Sequence, residues 1–578
     1  MKYIRKFSTP EDREAYMVDN PVPAFPYMHL VESTGEVKFS SPEVDYPLYI
    51  KALGNLKVSF GNTYEYSKDN VTWTSATSST SISAVAGERV FFRASGLTAS
   101  SSKGIGSFNI SNGDCNVGGN VMSMVYGADF KGKTEITQSH QFYRLFASSS
   151  SYASYGIVDA SNLALPATTL SSRCYNSMFY QCSKLVSAPT LPALTLSDYC
   201  YSYMFQSCTS LVNAPAILAT TMASYCCNDM FYNCTSLVNA PAILATTMAN
   251  YCCSSMFRSC TSLVNAPRLP ATTLAARCYE SMFDGCTSLV NVPDLKALTL
   301  SDYCYSYMFR SCTSLVNAPA ILATTMANYC CNYMFYGCTS LANVPSLPSA
   351  PLTSGCYQYM FYICTSLVTA PALPATTLSS TGYSHIFDGC TSLATAPELP
   401  ATDLVKECYQ YMFNNCTSLV TAPALPATKL VEGCYKYMFY GCTSLVNAPD
   451  LSHAVPTTSC FMNMFENCTS LVNTPPLYPM ATSSSHTAMF SGCTSLIRAE
   501  LPAKSLSYRC YVSMFANCSK LNYIKAMFTT TPSSSYTGSW VKGVSPSGTF
   551  IKNSAATWEN TFGVSAIPEG WTVELADA

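Results

Sequence analysis

The sequence predicts an α/β solenoid of about 14 stacked coils, each 26 residues long. A cysteine followed by two small polar residues and a leucine, as in Cys208-Thr209-Ser210-Leu211, recurs every 26 residues and, near the end, every 25. A phenylalanine lies three residues before each of these anchor cysteines. A fixed period of this length is typical of chains in which each unit packs only on its neighbours. The anchor cysteines are Cys182, Cys208, Cys234, Cys260, Cys286, Cys312, Cys338, Cys364, Cys390, Cys416, Cys442, Cys468, Cys493 and Cys518.

The segment that ends at the anchor predicts a short helix in each repeat. In the repeat that runs from Leu196 to Leu211, residues Leu196, Cys200 and Met204 are spaced by four, which places them on one face of a helix. Ser197 is expected to be the N-cap of that helix.

The residues after the anchor predict a short parallel strand. Leu211 and Ala214 are expected to face inward. Proline occupies one offset in twelve consecutive repeats, from Pro189 to Pro475, and proline cannot donate a hydrogen bond to a sheet ladder. We therefore expect a ladder of three or four residues per coil that ends at the proline. One strand and one short helix per 26 residues is a leucine-rich-repeat coil.

Composition disfavours several classes of function. The formal net charge is −2 and only 11% of residues are charged, so no basic stripe for nucleic acid is expected. No apolar run approaches the roughly 18 residues that cross a bilayer, so no membrane insertion is expected. The basic opening Met1 to Phe7 leads into the charged run Glu11 to Glu14, where a secretory signal would be apolar. We expect synthesis in the cytosol.

The 30 cysteines indicate buried thiols rather than a disulfide framework. Cytosolic synthesis opposes disulfides, and eight helical residues span about 12 Å, beyond the roughly 7 Å that a disulfide bridges. Disulfides and metal binding are the alternatives, but no C-x-x-C or paired histidine supports a metal site, and no cofactor is expected. A second cysteine column lies eight residues before the anchors: Cys174, Cys200, Cys226, Cys252, Cys278, Cys304, Cys330, Cys356, Cys408, Cys434, Cys460 and Cys510.

Changes in composition divide the chain into five expected segments. They are a leader or anchoring segment (1–45), a small β-sandwich-like domain (46–127), an irregular N-terminal cap of the solenoid (128–170), the solenoid itself (171–521) and a β-rich C-terminal cap (522–578). The leader is expected to hold a helix from Thr9 to Met17. The expected sandwich strands include Leu56–Phe60, Thr63–Tyr66 and Arg89–Arg93.

No catalytic residues are predicted, because the five histidines share no column and no nucleophile–base set is readable.

Two candidate ligand surfaces remain. A polar ladder beside the strand suits either a repetitive glycan or simple solvation of an exposed sheet. It comprises Asn213, Asn239, Asn265, Asn291, Asn317 and Asn343, continued by Thr369, Thr395 and Thr421. Tyrosines near the predicted helix could stack on sugars or pack between coils: Tyr201, Tyr203, Tyr305, Tyr307, Tyr357 and Tyr359.

The repeat M-F-x-x-C-T-S-L-x-x-A-P-x-L-P-A-T-T-L, from about Ala164 to Leu521, resembles the BspA-like leucine-rich repeats. Such repeats occur in surface proteins of gut Bacteroidetes and in phages of those hosts. The opening Met1 to Phe7 resembles leaders on structural proteins of Bacteroidetes phages. The resemblance implies adhesion and brings no catalytic residues.

These observations favour a non-catalytic protein on a phage particle, either a fibre or a decoration protein, that recognises the host cell surface. Its partners would be a host surface glycan or protein, and other virion proteins through the N-terminal segment; a homo-oligomer is also open. The alternatives are a bacterial cell-surface adhesin and a passive structural spacer.

Overall fold

The computed structural model describes residues 43–147 and 156–576. Before them it describes two short strands, β1 (His29–Leu30) and β2 (Val37–Lys38), which pair antiparallel. The helix expected from Thr9 to Met17 lies outside the described residues.

The N-terminal region is strand-rich, as predicted. Its strands form a six-stranded sheet, in the order β11-β10-β3-β8-β5-β6, and a three-stranded sheet, β7-β4-β9. The three strands expected from the sequence correspond to β4, β5 and β8. The strands are β3 (Leu48–Ala52), β4 (Leu56–Phe60), β5 (Tyr64–Ser67), β6 (Thr74–Ala76), β7 (Ile82–Ala84), β8 (Arg89–Arg93), β9 (Phe108–Ser111), β10 (Cys115–Asn120) and β11 (Ile157–Ala164).

Aromatic contacts join these two sheets to each other and to the first coils. Phe92 on β8 meets Phe108 on β9 with ring centroids 4.9 Å apart. Phe108 stacks on Phe146 at 5.5 Å, and Phe146 stacks on Phe179 of the first repeat at 5.3 Å. A helix, α1 (Ser123–Tyr126), and a 3₁₀ turn (Gly127–Asp129) follow β10. The sandwich core therefore continues without interruption into the solenoid.

A run of tight turns replaces the helix that the sequence predicts in each repeat. Within this turn segment, the Cys200 N–H donates to the Ser197 carbonyl at 3.1 Å and the Met204 N–H to the Tyr201 carbonyl at 3.1 Å. Every fourth residue has left-handed backbone, with φ near +58° at Tyr199. A turn unit of four residues puts residues i and i+4 on one side, as a helix also does. Apolar residues spaced by four therefore fit both structures, and the predicted helix is wrong.

The N–H groups of alternate residues in this segment donate to carbonyls of the next coil. Tyr201 N–H donates to the Cys226 carbonyl at 2.8 Å, and Phe205 N–H donates to the Met230 carbonyl at 2.9 Å. A helix would use these groups internally and leave nothing to join the coils. Ser197 is not an N-cap, since its hydroxyl donates to the preceding coil at 2.6 Å.

Glycine alternates with larger residues at the position just before the anchor cysteine, where the backbone is left-handed. At Gly389 φ is +74°, and an added Cβ would lie 3.0 Å from Cγ1 of Ile363 in the preceding coil. A side chain in one coil thus covers a glycine in the next. From Ser259 onward the position reads Ser259, Gly285, Ser311, Gly337, Ile363, Gly389, Asn415, Gly441, Asn467, Gly492, Asn517 and Gly543.

The strand ladder is narrower than predicted in the central coils. There, adjacent coils share single parallel bridges, such as Asn213 with Asn239. The ladder widens to four residues in the last sheet: β12 (Arg498–Leu501), β13 (Tyr523–Ala526), β14 (Thr549–Lys552) and β15 (Thr572–Leu575), all parallel. Glu500 stands where earlier coils have proline, as at Pro475, and its N–H donates to Oγ1 of Thr474 in the preceding coil at 3.2 Å, a bond that proline could not make.

Anchor cysteines fill a continuous buried column and bond the coils together. All 30 cysteines are buried, and none forms a disulfide in the described residues. Each anchor thiol donates to the carbonyl of a phenylalanine one coil earlier, as Cys312 does to Phe283 at 3.2 Å. The phenylalanines stack in register, with Phe205 and Phe231 5.5 Å apart. Cysteine therefore supplies both a small apolar body and a donor at this position.

Tryptophans cover the last coil. Trp540 packs on Phe515 at 6.1 Å, and its Nε1–H donates to the Ala566 carbonyl at 2.8 Å. Trp571 Nε1–H donates to the Ser545 carbonyl at 2.8 Å. A short helix, α2 (Ser534–Thr537), precedes Trp540. The apolar end of the stack is thereby removed from water.

Replacing Leu315 by Asp should destabilise the array. Leu315 is 0% exposed, so a carboxylate there loses its hydration without a partner, and we expect a loss of about 4 kcal/mol in the free energy of unfolding. The measurement is chemical denaturation followed by circular dichroism. Leu322→Asp, in the same coil at a side chain that is 48% exposed, is the matched control and should change stability little. Equal effects of the two substitutions would show that Leu315 is not core.

Alkaline pH should unfold the array abruptly. Burial raises the pKa of Cys234 and Cys338 to about 12 and that of Cys408 to about 11. The neutral buried thiols contribute fully to the free energy of unfolding below pH 9, which is near the pKa of a thiol in the unfolded chain. This contribution is lost as the pH rises towards the pKa values of the thiols in the folded protein. Each thiol ionised only in the unfolded state steepens the loss by about 1.4 kcal/mol per pH unit.

The measurement is circular dichroism between pH 7 and 11 in a reducing phosphine, together with thiol labelling by a disulfide reagent in parallel samples from which the phosphine has been removed. We expect thiols to stay unlabelled near pH 8 and to become labelled together with the loss of structure. Labelling at neutral pH in folded protein would contradict the buried columns.

Candidate ligand-binding surfaces

The predicted asparagine ladder lies on an exposed surface. Asn291 Nδ2 donates to Asn265 Oδ1 at 2.7 Å, and Asn343 Nδ2 donates to Asn317 Oδ1 at 2.8 Å. These amides hold one another in register from coil to coil, and each keeps further donors or acceptors for solvent or a ligand. Asn213 and Asn239 belong to the same row. Thr369, Thr395 and Thr421 continue it through backbone bridges.

A column of valines runs beside the asparagines and was not assigned by sequence reasoning. Val290 is 42% exposed and Val368 is 53% exposed, while Leu289 beside Val290 is fully buried. The alternation of Leu inward and Val outward was the available signal. The exposed members are Val186, Val212, Val238, Val290, Val316, Val368, Val420 and Val446. We call this column and the Asn/Thr row together the strand face.

The strand face carries no charged residue in either row from Val186 to Asn447. A shallow depression of about 390 Å³ lies on it, lined by Asn317, Asn343, Thr369 and their neighbours. A surface that combines exposed methyl groups with amides and hydroxyls, without net charge, is chemically matched to a neutral ligand with both apolar and hydroxyl groups.

Three of the predicted ligand tyrosines are buried, so their expected contact with sugars is wrong. Tyr201 and Tyr305 are 1% exposed and Tyr357 is 0% exposed. They belong to an inner column, in which Tyr357 and Tyr383 stack 5.9 Å apart. These rings pack between coils, which was the other interpretation of the pattern.

The other three tyrosines are half-buried on the turn side of the coils. Tyr307 and Tyr359 belong to a continuous row of rings, which we call the tyrosine stack. Tyr203 occupies the equivalent position in an earlier coil. The stack consists of Tyr307, Tyr333, Tyr359, His385, Tyr411 and Tyr437, with successive centroids 4.2–4.8 Å apart. Neighbouring rings cover each other's faces inside the stack, so only edges and hydroxyls are available to a ligand there.

Polar contacts fix the middle of the tyrosine stack. His385 Nδ1 lies 2.8 Å from Oδ2 of Asp388, whose Oδ1 accepts a hydrogen bond from Asn414 Nδ2 at 2.8 Å. Burial, followed by the neighbouring phenols, raises the pKa of Tyr333 and Tyr411 to about 12. The phenols are therefore neutral donors near pH 7, and the row can offer hydrogen bonds without charge.

Two serine–histidine contacts do not form a hydrolytic site. Ser485 Oγ lies 2.8 Å from His486 Nδ1, but both side chains are buried, and burial lowers the pKa of His486 to about 3. Ser139 and His140 touch at 2.7 Å on the surface. In the described residues, neither histidine ring contacts a carboxylate.

The described residues contain no group of three or more His, Cys, Asp or Glu that could hold a metal ion. No helix among them is long and apolar enough to span a bilayer.

Comparison with known proteins identifies the family. The model of the BspA type leucine rich repeat region matches residues 226–368, 304–446, 356–475 and 421–542. The matches together cover more than half of the chain. This chain belongs to the BspA-type leucine-rich-repeat family, and its fold is the stacked-coil solenoid that the repeat period predicts. No curated protein matches it.

Solved structures of other leucine-rich-repeat proteins are distantly similar. A TLR13–ssRNA13 complex is 12% identical, covers 65% of this chain and has a TM-score of 0.22. The match spans 54% of the TLR13 chain, about half its length. Internalin InlF from Listeria monocytogenes is 10% identical, covers 60% of this chain and 82% of the internalin, and has a TM-score of 0.20.

Replacing Tyr409 by Phe should not destabilise the protein if the inner tyrosine column is purely structural. Tyr409 is 1% exposed and its hydroxyl meets no hydrogen-bond partner in the described part of the chain. Removing a buried group of this kind should be neutral or gain up to about 1 kcal/mol in the free energy of unfolding. Tyr279→Phe is the control, since the Tyr279 hydroxyl lies 3.6 Å from the Met248 sulfur. A loss of stability in Tyr409→Phe larger than in Tyr279→Phe, measured by thermal unfolding, would contradict this assignment.

Proposed function

We propose that this chain is a non-catalytic adhesion protein of a phage particle that presents the strand face to the surface of the host cell. The observation that carries the proposal is the strand face itself: an exposed, uncharged surface of aliphatic side chains beside amides and hydroxyls that repeats over many coils. Solenoids of this class work through extended surfaces.

A repeated surface favours a repetitive ligand such as a cell-surface glycan. Each coil offers the same small set of contacts, so individual contacts are weak. Simultaneous engagement of many coils by one polymer raises the overall affinity through effective concentration. Sugars offer apolar C–H faces to Val290 and its neighbours, and hydroxyl groups to amides such as Asn291. A surface protein of the host with a matching polar row would be bound by the same face.

The attachment to a particle is supported by the resemblance of the N-terminal segment. The opening Met1 to Phe7 resembles leaders on phage structural proteins. In this proposal the segment 1–45 docks onto other virion proteins, the sandwich (46–127) and cap (128–170) follow, and the solenoid (171–521) with its terminal cap (522–578) projects towards the host.

Charges placed on the strand face should abolish adhesion. The test is the variant Val290→Arg/Val368→Arg, which puts two bulky cations on the exposed row. We expect at least a tenfold loss of binding to host cells by the purified, fluorescently labelled protein. Leu298→Arg/Leu322→Arg adds the same charges at side chains that are 46% and 48% exposed and belong to neither row of the strand face, and should bind like the parent protein. Unchanged binding in the strand-face variant, with both variants folded, would reject the strand face as the adhesive surface.

The location is tested separately by quantitative mass spectrometry of purified phage particles and of outer membranes from the same culture. Stoichiometric recovery in particles is the expected result. Recovery in membranes alone would make the protein a bacterial surface adhesin. Recovery in particles that adsorb normally when the gene is deleted would make it a spacer.

A further inference from the structure

A second depression lies on the turn side of the array, away from the strand face. It has a volume of about 330 Å³ and is lined by Tyr307, Arg310, Ser311, Tyr333 and Tyr336. Its lining shares no residue with the depression on the strand face. Unlike that face, the depression is made distinct by one side chain that interrupts its row, Arg310, which lies between Asp284 and Tyr336 at the equivalent positions of the neighbouring coils.

Tyr336 supplies an aromatic face to this depression. On its C-terminal side, Tyr336 stacks on Tyr362 with centroids 4.9 Å apart and ring planes within 10°. On its N-terminal side, the equivalent position in the preceding coil is Arg310, which lines the depression with it. Tyr336 is thus the end ring of its row, and its outer face is directed at the cavity. Tyr333 lies against it, tilted by 45° at 5.9 Å.

Two arginines and one aspartate lie beside the depression, so this cluster carries a net positive charge. Arg310 contacts Asp284 through Nε at 2.8 Å and Nη2 at 2.6 Å. Arg258 contacts the same carboxylate through Nε at 3.1 Å. Two guanidinium groups therefore share one carboxylate, which is only 5% exposed and fixed between them. Nη1 of Arg310 remains outside this bidentate pair, and the side chain is one-third exposed.

Preorganised neutral donors surround this cation. The Arg310 guanidinium carbon lies 5.0 Å from the centre of the Tyr307 ring, which holds the side chain in place. Ser311, Tyr307 and Tyr333, each of which carries a hydroxyl, line the same depression. An aromatic face, an arginine with donors to spare and several hydroxyls together match a sugar ring that carries a carboxylate.

We propose that this depression binds an acidic saccharide residue, with the pyranose ring against the outer face of Tyr336 and its carboxylate on Arg310. Ser311 and the tyrosine hydroxyls bond the ring hydroxyls. The site would give the array a preference among acidic glycans that the uniform strand face cannot provide. It stands independently of the strand-face proposal, because the two surfaces share no residue.

The test uses the full-length protein with D-glucuronate, D-galacturonate and N-acetylneuraminate as probes, and D-glucose as the neutral reference. Saturation-transfer NMR and isothermal titration are the measurements. We expect at least one acidic sugar to bind at millimolar concentration and glucose to bind at least tenfold more weakly. Arg310→Gln should remove this preference while Asp284 keeps Arg258 as its partner. Tyr336→Leu should weaken acidic-sugar binding at least tenfold.

Tyr440→Leu is the matched control, since Tyr440 occupies the same position four coils later, where the preceding coil has Asn414 instead of arginine. Its binding should equal that of the parent protein. The proposal is overturned if none of the acidic sugars binds at up to about 50 mM, if glucose binds equally, or if Tyr440→Leu loses as much as Tyr336→Leu. The Val290→Arg/Val368→Arg variant should retain acidic-sugar binding, which separates failure of this site from failure of the strand face.

Discussion

The hydrogen bonds between successive turn segments constrain everything else in this molecule. Because Tyr201 and Phe205 donate their N–H groups to the next coil rather than within their own, every coil must present its carbonyls at the same height and spacing. That requirement fixes the repeat length and the left-handed residues, such as Tyr203, which also donate to the next coil. The phenylalanine column and the thiol bonds onto its carbonyls then form in register. Each side chain that recurs in the sequence becomes a row in space.

Sequence patterns predicted the solenoid, the buried leucine, phenylalanine and cysteine columns, and three sandwich strands, since each depends on periodicity or alternation. The sequence patterns led to a wrong prediction where two different backbone structures have the same spacing of apolar residues. Apolar residues four apart fit both a helix and a succession of four-residue turns, and only the destination of the N–H groups separates them. Tyr201 and Tyr203 looked equivalent for the same reason. In the turn segment, side chains two residues apart lie on opposite sides of the backbone. Tyr201 is therefore buried, whereas Tyr203 is half-buried.

The array combines a monotonous surface with an irregular one. On the strand face the same valine and amide contacts repeat, which suits avidity for a long ligand. On the turn side, Arg258, Asp284 and Arg310 interrupt the rows of tyrosines and create local differences between coils. A uniform surface binds many related polymers, whereas a single irregular depression can choose among them. The scaffold tolerates both, because neither set of side chains enters the buried columns.

From Ser259 onward, the alternation of glycine before the anchor cysteine favours the gain or loss of coils in pairs. Loss of the coil that contains Gly389 would place Ile363 directly against Asn415, two side chains at a position where one normally covers a glycine. Loss or gain of two coils, 52 residues, keeps the alternation intact. The segment from Leu194 recurs from Leu298, 104 residues later, which is two such pairs. In this part of the array, the unit that can be gained or lost is therefore larger than the unit of sequence repetition, whereas the coils with Gln181, Ser207 and Asn233 carry side chains in succession and impose no such pairing.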